Sequence, residues 1–297
     1  MRAYSRIGRH WWAASETGGP PVIGNPRPSP LYPGTNNPRY VGSVGKLIVR
    51  SVNWGIVVGF LIVFGFFGWI LWQNQPNTVA LGTFGFVVVG WVFSLCLHEF
   101  GHAVTAVLGG DTSPGTVRYL SFNPLHYVHP LMSILMPIVF LLLGGIALPG
   151  GAVYLRRDLV RNRFWQSAIS LAGPLGNLLF LLGLALIWRV GLLQGHLALA
   201  GAVAALAFFQ VAAIVLNLLP IPPLDGFGVI TPWLPRELAQ LAMSVSLYAF
   251  ILLFVLIWYV PQASAAYFSA VFSVMGAFAI DPAFAQFGIQ NLFFWQK

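Results

Sequence analysis

Hydrophobic positions in this chain do not alternate with polar ones. They run unbroken for about 20 residues at a time, with polar and helix-breaking residues gathered between the runs. The first run, Trp54–Trp72, follows Arg39, Lys46 and Arg50 and leads into the short uncharged link Gln73-Asn74-Gln75-Pro76-Asn77. A second run starts near Val79. A polar connection follows at 109–130, then an apolar stretch at 131–148 that is interrupted by Pro137, Gly144 and Gly145 and closed by Pro149. Beyond the cluster Arg156, Arg157, Asp158, Arg161 and Arg163, further runs cover 168–188, 197–219 and 238–260, and 265–280 is borderline in length. The runs are rich in Leu, Val and Phe and lack the alternation of a barrel strand, so the spanning elements are expected to be helices.

The predicted fold class is all-α: a polytopic membrane helical bundle of about six spans plus a re-entrant segment. Residues 1–45 are expected to be a disordered basic tail, because Pro20, Pro21, Pro26, Pro28, Pro30, Pro33 and Pro38 deny a long helix. The tail lacks the apolar core of a signal peptide, and Trp11 and Trp12 read as part of it. Residues 46–297 are expected to form the membrane-embedded domain, with a core at about 79–235. Phe293-Phe294-Trp295-Gln296-Lys297 reads as an interfacial anchor.

Composition agrees. Hydrophobic residues are 58% of the 297 and charged residues 7%, against about a quarter charged in a soluble domain. The net charge of +8 does not point to nucleic acid. It lies mostly in the first 50 residues and one arginine-rich loop, as expected of cytoplasmic flanks beside anionic lipid. Cys96 is the one cysteine, so neither an internal disulfide nor a cysteine-based zinc framework can form; on an apolar helix it reads as packing.

The charges that are out of place carry the chemistry. Of the seven acids, Glu16, Asp111, Asp158, Glu237 and Asp281 sit in flanks or loops; Glu99 and Asp225 instead join the ends of apolar spans with no Lys or Arg nearby. An ionisable group at membrane depth is costly without a partner and is a functional candidate by default. Glu99 lies within His98-Glu99-Phe100-Gly101-His102, an HExxH pattern. Histidines four apart share one helix face with Cβ atoms ~6 Å apart, so both imidazoles reach one zinc ion at ~2.0–2.1 Å. Glu99, rotated about 100° from His98, is placed to act as general base without becoming a ligand. A catalytic zinc takes three protein ligands and keeps an open position. Asp225 is the expected third, because it follows a span broken by Pro220, Pro222 and Pro223, and such a break is tolerated only where it is buried or lines a wet cavity. A pair of hydrogen-bonded core histidines is the plainer alternative, but it accounts for neither Glu99 nor Asp225. His126 and His129, three apart, read as loop histidines for want of a third ligand.

Three motifs in order, His98-Glu99-Phe100-Gly101-His102, Ala172-Gly173-Pro174-Leu175-Gly176-Asn177 and Asn217-Leu218-Leu219-Pro220-Ile221-Pro222-Pro223-Leu224-Asp225-Gly226, resemble the site-2 protease family of intramembrane zinc metalloproteases. The chain looks most like the compact bacterial members without a PDZ domain. Phe122-Asn123-Pro124-Leu125 through Pro130 also looks like theirs, and the resemblance covers roughly 79–235. It implies that His98, His102 and Asp225 bind one zinc ion, that Glu99 is catalytic, and that Asn177 and Asn217 help to position substrate or an oxyanion. It implies a transmembrane protein substrate, a lipid bilayer as partner and a bacterial cytoplasmic membrane as location. Phe227, after the Asp-Gly pair, and His129, before Pro130, depart from the family pattern and put substrate fit in question more than metal binding.

Topology must let the ligands meet. At ~1.5 Å rise per residue, His98 lies ~29 Å along its helix, near the end expected to face the cytoplasm with the N-terminus. If 131–148 crossed the membrane fully, the arginine cluster would lie outside and Asp225 would end ~30 Å from His98. A dip and return, bent at Pro137 and Gly144-Gly145, removes both conflicts. Two rivals to a protease remain: a catalytically inactive relative acting as a membrane binding or assembly factor, and a metal or small-solute transporter. The complete set His98, Glu99, His102 and Asp225 weighs against the first. The HExxH spacing and the lack of a visible inverted repeat weigh against the second.

Overall fold

The structure, a computed structural model, describes residues 38–126 and 156–296. The chain divides into two units, Met1–Gly42 and Ser43–Lys297. Of the first, only residues 38–42 are described, and they open helix α1 (Pro38–Ser51). The helix therefore begins before the tail was expected to end at 45. Proline suits a first helical turn, where its missing N–H is not needed, and the apolar positions 41, 44, 47 and 48 recur at helical spacing. Residues 1–37 lie outside the described set, as does the expected re-entrant stretch 131–148 together with His129.

Among the described residues four helices are long and apolar enough to cross a membrane: α2 (Trp54–Trp72), α3 (Val79–Gly109), α5 (Arg163–Arg189) and α6 (Leu197–Asn217). The short α4 (Pro114–Tyr119) follows α3, and α7 (Asp225–Ile230) follows α6. Two bent pairs complete the described residues: α8 (Arg236–Ser244) with α9 (Ser246–Tyr259), and α10 (Pro261–Ala277) with α11 (Pro282–Leu292). Each pair is long enough for one more span. No strand occurs among the described residues. The chain is thus an all-α polytopic membrane bundle.

The 238–260 run, expected as one span, is bent by 61° between α8 and α9. Arg236, Glu237 and Gln240 make α8 polar along one side, whereas α9 carries no charge. At the junction Ser244 Oγ donates to the Leu241 carbonyl at 2.7 Å, a side-chain bond that competes with the helix ladder. The second pair turns by 115°. Ala279 is left-handed there (φ 58°), Asp281 caps α11 by accepting from the Ala283 N–H at 2.8 Å, and Pro282 opens the helix.

Burial sorts the spans. Within the apolar window of each helix, 72% of α6 is buried but 6% of α2, so α6 is central and α2 faces its surroundings. In lipid no hydrophobic force drives helices together, and close approach rests on small residues. An added methyl at Gly101 would lie 2.5 Å from the Ala172 carbonyl oxygen, and one at Gly176 would lie 2.7 Å from that of Leu97. α3 and α5 therefore touch backbone to backbone. Gly201 and Gly288 do the same for α6 and α11.

Helix α3 stops where the site needs it to stop. Gly110 adopts φ 115°, with its N–H on the Val107 carbonyl (3.1 Å) and the Asp111 N–H on that of Ala106 (2.9 Å), a Schellman ending. Arg161 then ties in the start of the next span: its N–H donates to the Gly109 carbonyl (3.1 Å) and its guanidinium to that of Leu108 (2.7 Å). Asp111, which reads in sequence as a loop acid, is fully buried. It accepts from the Ser113 N–H (3.0 Å), the Thr116 hydroxyl (2.5 Å) and the Arg156 N–H (3.0 Å). The Arg156 flank of 127–155 is thus held at the C-terminal end of α3. Nearby, the exposed Arg156 guanidinium forks onto Asp158 and holds that carboxyl below its ordinary range; exposed pairs of this kind add little stability.

Candidate active site

Helix periodicity puts His98 and His102 on the face of α3 that meets α5, with Glu99 one position round. All three are buried, Glu99 to 4% exposure, which leaves its carboxylate little access to bulk water. α5 runs antiparallel to α3 and supplies the far side of each ring. The His98 Nδ1–H donates to the Asn177 side-chain oxygen at 2.5 Å, and the His102 Nδ1–H to the Ile169 carbonyl at 2.6 Å. A carbonyl can only accept. Each neutral imidazole therefore holds its hydrogen on Nδ1 and turns the lone pair of Nε2 inward.

Asp225 arrives from beyond α6. The stretch Pro220-Ile221-Pro222-Pro223-Leu224, which contains a cis Pro222–Pro223 peptide, turns the chain back on itself. Gly226 sits so close to the Leu218 and Leu219 carbonyls that a side chain there has no room. Ser167 near the start of α5 lashes the returning segment down. Its hydroxyl donates to the Val229 carbonyl at 2.6 Å and accepts from the Trp233 indole N–H at 2.9 Å.

The result is a cluster of three electron-rich groups. The two Nε2 atoms are 3.0 Å apart, and the Asp225 carboxylate oxygens stand 3.2 Å from that of His98 and 3.4 Å from that of His102. Asp225 Oδ2 is buried and has no hydrogen-bond partner. An orphaned carboxylate oxygen facing two lone pairs is unfavourable unless a cation lies among them. Tetrahedral zinc with ligands at 2.0–2.1 Å requires neighbouring ligand atoms ~3.3 Å apart; the two Nε2 atoms and the carboxylate oxygen near each of them, at 3.0–3.4 Å, are spaced on that scale. These residues fit a zinc ion. Among the described residues they are the group of three His, Cys, Asp or Glu side chains able to hold a metal.

Gly173 leaves room for this cluster. A methyl there would overlap His102 Nε2 and lie 2.5 Å from His98 Nε2. In the sequence Gly173 is one of two glycines in the motif 172–177, with nothing to mark it as a wall of the site. Asn177 was expected near substrate. The structure surrounds its carboxamide with protein: the oxygen accepts from His98, and the amide donates to Gln210 Oε1 (3.0 Å) and Ser94 Oγ (3.4 Å). Asn217, half-buried, ends α6 eight residues before Asp225. His126 lies apart from the cluster, its Nδ1 against the Ser121 hydroxyl at 2.7 Å. Gln210 and Ser94 escape the sequence reading, although Gln210 has a legible signal: it is a polar residue in the middle of the otherwise apolar α6.

No family model matches the chain, and no solved structure matches it. Curated relatives do. A protein of Mycolicibacterium smegmatis named "Putative zinc metalloprotease Rip2" is 37% identical over 240 residues, 81% of this chain and 92% of the relative. The protein of that name from Mycobacterium tuberculosis is 36% identical over 239 residues, 80% of this chain and 92% of the relative. "Putative zinc metalloprotease YwhC" of Bacillus subtilis is 26% identical over 178 residues, 58% of this chain and 79% of the relative. Similarity of this depth across most of both chains, joined to HExxH on one membrane helix and an Asp-Gly pair beyond another, places the chain in the site-2 protease family of intramembrane zinc metalloproteases.

Proposed function

We propose that this chain is a zinc metalloendopeptidase that hydrolyses peptide bonds in or near the transmembrane helices of membrane proteins. One observation carries the reading: the Nε2 atoms of two imidazoles and a carboxylate converge at 3.0–3.4 Å, beside the buried Glu99. His98, His102 and Asp225 would hold the zinc ion. When bound, zinc supplies Lewis acidity, lowering the pKa of a coordinated water toward ~7 and polarising a carbonyl.

The chain's own groups do the rest. Glu99 takes the proton from the attacking water on its carboxylate and returns it to the leaving amine nitrogen. Its burial keeps bulk water from competing for that proton. Asn177 orients the His98 ring. Asn217 is the side chain left to donate toward a developing oxyanion. A substrate helix hides its carbonyls in its own hydrogen bonds, so helix-breaking residues near the cut favour cleavage.

The location we infer is a bacterial cytoplasmic membrane with the site end toward the cytoplasm. The start of α2, the end of α3 and the start of α5 share one end of the bundle: the Asn53 N–H bonds the Ser121 carbonyl, and Arg161 bonds Gly109. Arg50, Arg118, Arg156, Arg161, Arg163 and Arg236 flank that end, and Arg189 stands at the other, a distribution that the positive-inside tendency assigns to the cytoplasm. Replacing Glu99→Gln tests the catalytic assignment. Cleavage of a synthetic transmembrane peptide is expected to stop while zinc content stays near one ion per chain. Cleavage at the wild-type rate would remove Glu99 from its role.

A further inference from the structure

We infer that Gln210, in the middle of α6, is a positioning residue for the metal site, acting on His98 through Asn177. The inference rests on the zinc reading above. Gln210 is 1% exposed, is the one polar residue of α6 before its terminal Asn217, and is not among the three residues of the cluster. A buried carboxamide in a membrane helix is costly unless its hydrogen bonds are made. This one accepts from the Asn177 side-chain amide at 3.0 Å, and Asn177 is itself buried, with Ser94 Oγ as its second acceptor at 3.4 Å.

The consequence follows from what a carboxamide can do. Asn177 can offer His98 either an oxygen or an amide group, and the two choices demand opposite tautomers of the ring. In this arrangement Gln210 Oε1 and Ser94 Oγ both accept on one side, so the Asn177 amide faces them. Its oxygen is then the group left for His98 Nδ1, at 2.5 Å. His98 must carry its hydrogen on Nδ1 and present a lone pair at Nε2, the atom beside His102 and Asp225. His102 needs no such device, because the Ile169 carbonyl is an acceptor that cannot flip. A relay across three helices (α6 to α5 to α3) thus does for one ligand what a backbone carbonyl does for the other.

The test is zinc affinity, measured by competition with a chromophoric chelator on the full-length protein in detergent. The absorption spectrum of the cobalt-substituted protein gives a second readout, of ligand geometry. Gln210→Leu removes the acceptor at similar volume, and a loss of about 10- to 100-fold in zinc affinity is expected, the range found for partners of metal-bound histidines. Gln210→Glu keeps an oxygen acceptor in place and is expected to stay within about threefold of wild type. In an Asn177→Ala background, Gln210→Leu is expected to add less than about threefold, because the relay is already cut. A merely structural role would make the two losses multiply. The inference is overturned if Gln210→Leu binds zinc as wild type does, if Gln210→Glu fails as badly as Gln210→Leu, or if the effects of Gln210→Leu and Asn177→Ala are independent. A wild-type protein that binds no zinc would instead sink the metal reading itself, so the two failures are distinguishable.

Discussion

Gly173→Ala asks whether the floor of the site is as tight as the structure makes it. The added methyl carbon would lie 2.5 Å from His98 Nε2 and 2.6 Å from His102 Cε1, with a closer overlap still at His102 Nε2. Ordinary non-bonded carbon contacts are ~3.5–4.0 Å, so ring or helix must retreat by about 1 Å. Metal–ligand distances tolerate about 0.2 Å. Neither ring is free to move, since each is held from behind by Asn177 or Ile169, and α5 cannot easily slide because its backbone already touches α3 at Ala172 and Leu97. Overpacking of this kind costs about 1–3 kcal/mol. If the strain is relieved by releasing the ion, it converts to about 5- to 150-fold weaker zinc binding at ~1.4 kcal/mol per decade. The fold should survive, because alanine favours a helix over glycine by up to about 1 kcal/mol. Chelator competition and cleavage of a synthetic transmembrane peptide read the two consequences. Gly183→Ala, on the same helix where an added methyl meets nothing within 4 Å, is the control and is expected to match wild type. Zinc affinity of Gly173→Ala within twofold of wild type would refute the packing argument.

Three other outcomes are expected. Asp225→Ala leaves two histidines for a metal that needs three protein ligands, so bound zinc should fall below about a tenth of an ion per chain by elemental analysis, and dialysis of the wild type against a chelator should abolish cleavage until zinc is returned. A cysteine placed at Arg161 in a Cys96→Ser background should react with a membrane-impermeant thiol reagent only after the cytoplasmic face is exposed, and exclusive labelling from outside would reverse the proposed orientation.

The sequence by itself determined the class of this protein. Continuous apolar runs of helix-spanning length admit few alternatives once backbone hydrogen bonds must be made inside lipid, and α2, α3, α5 and α6 lie close to where those runs predict them. It also singled out His98, Glu99, His102 and Asp225, because a charge in an apolar run stands out without coordinates. What it could not carry was anything set by contacts between residues far apart in the chain. The bend between α8 and α9 falls within what reads as one hydrophobic run, because hydropathy does not register a serine turned onto its own backbone. Asp111 reads as a loop acid until three donors are found around it. The parts played by Gly173 and Gln210 are hidden for a related reason, even though Gln210 stands out as polar: a glycine matters for the atoms a side chain would displace, and a glutamine for the partner it orients. Both are facts about neighbouring helices, and only the tertiary structure, which presses α5 against α3 and α6, decides them.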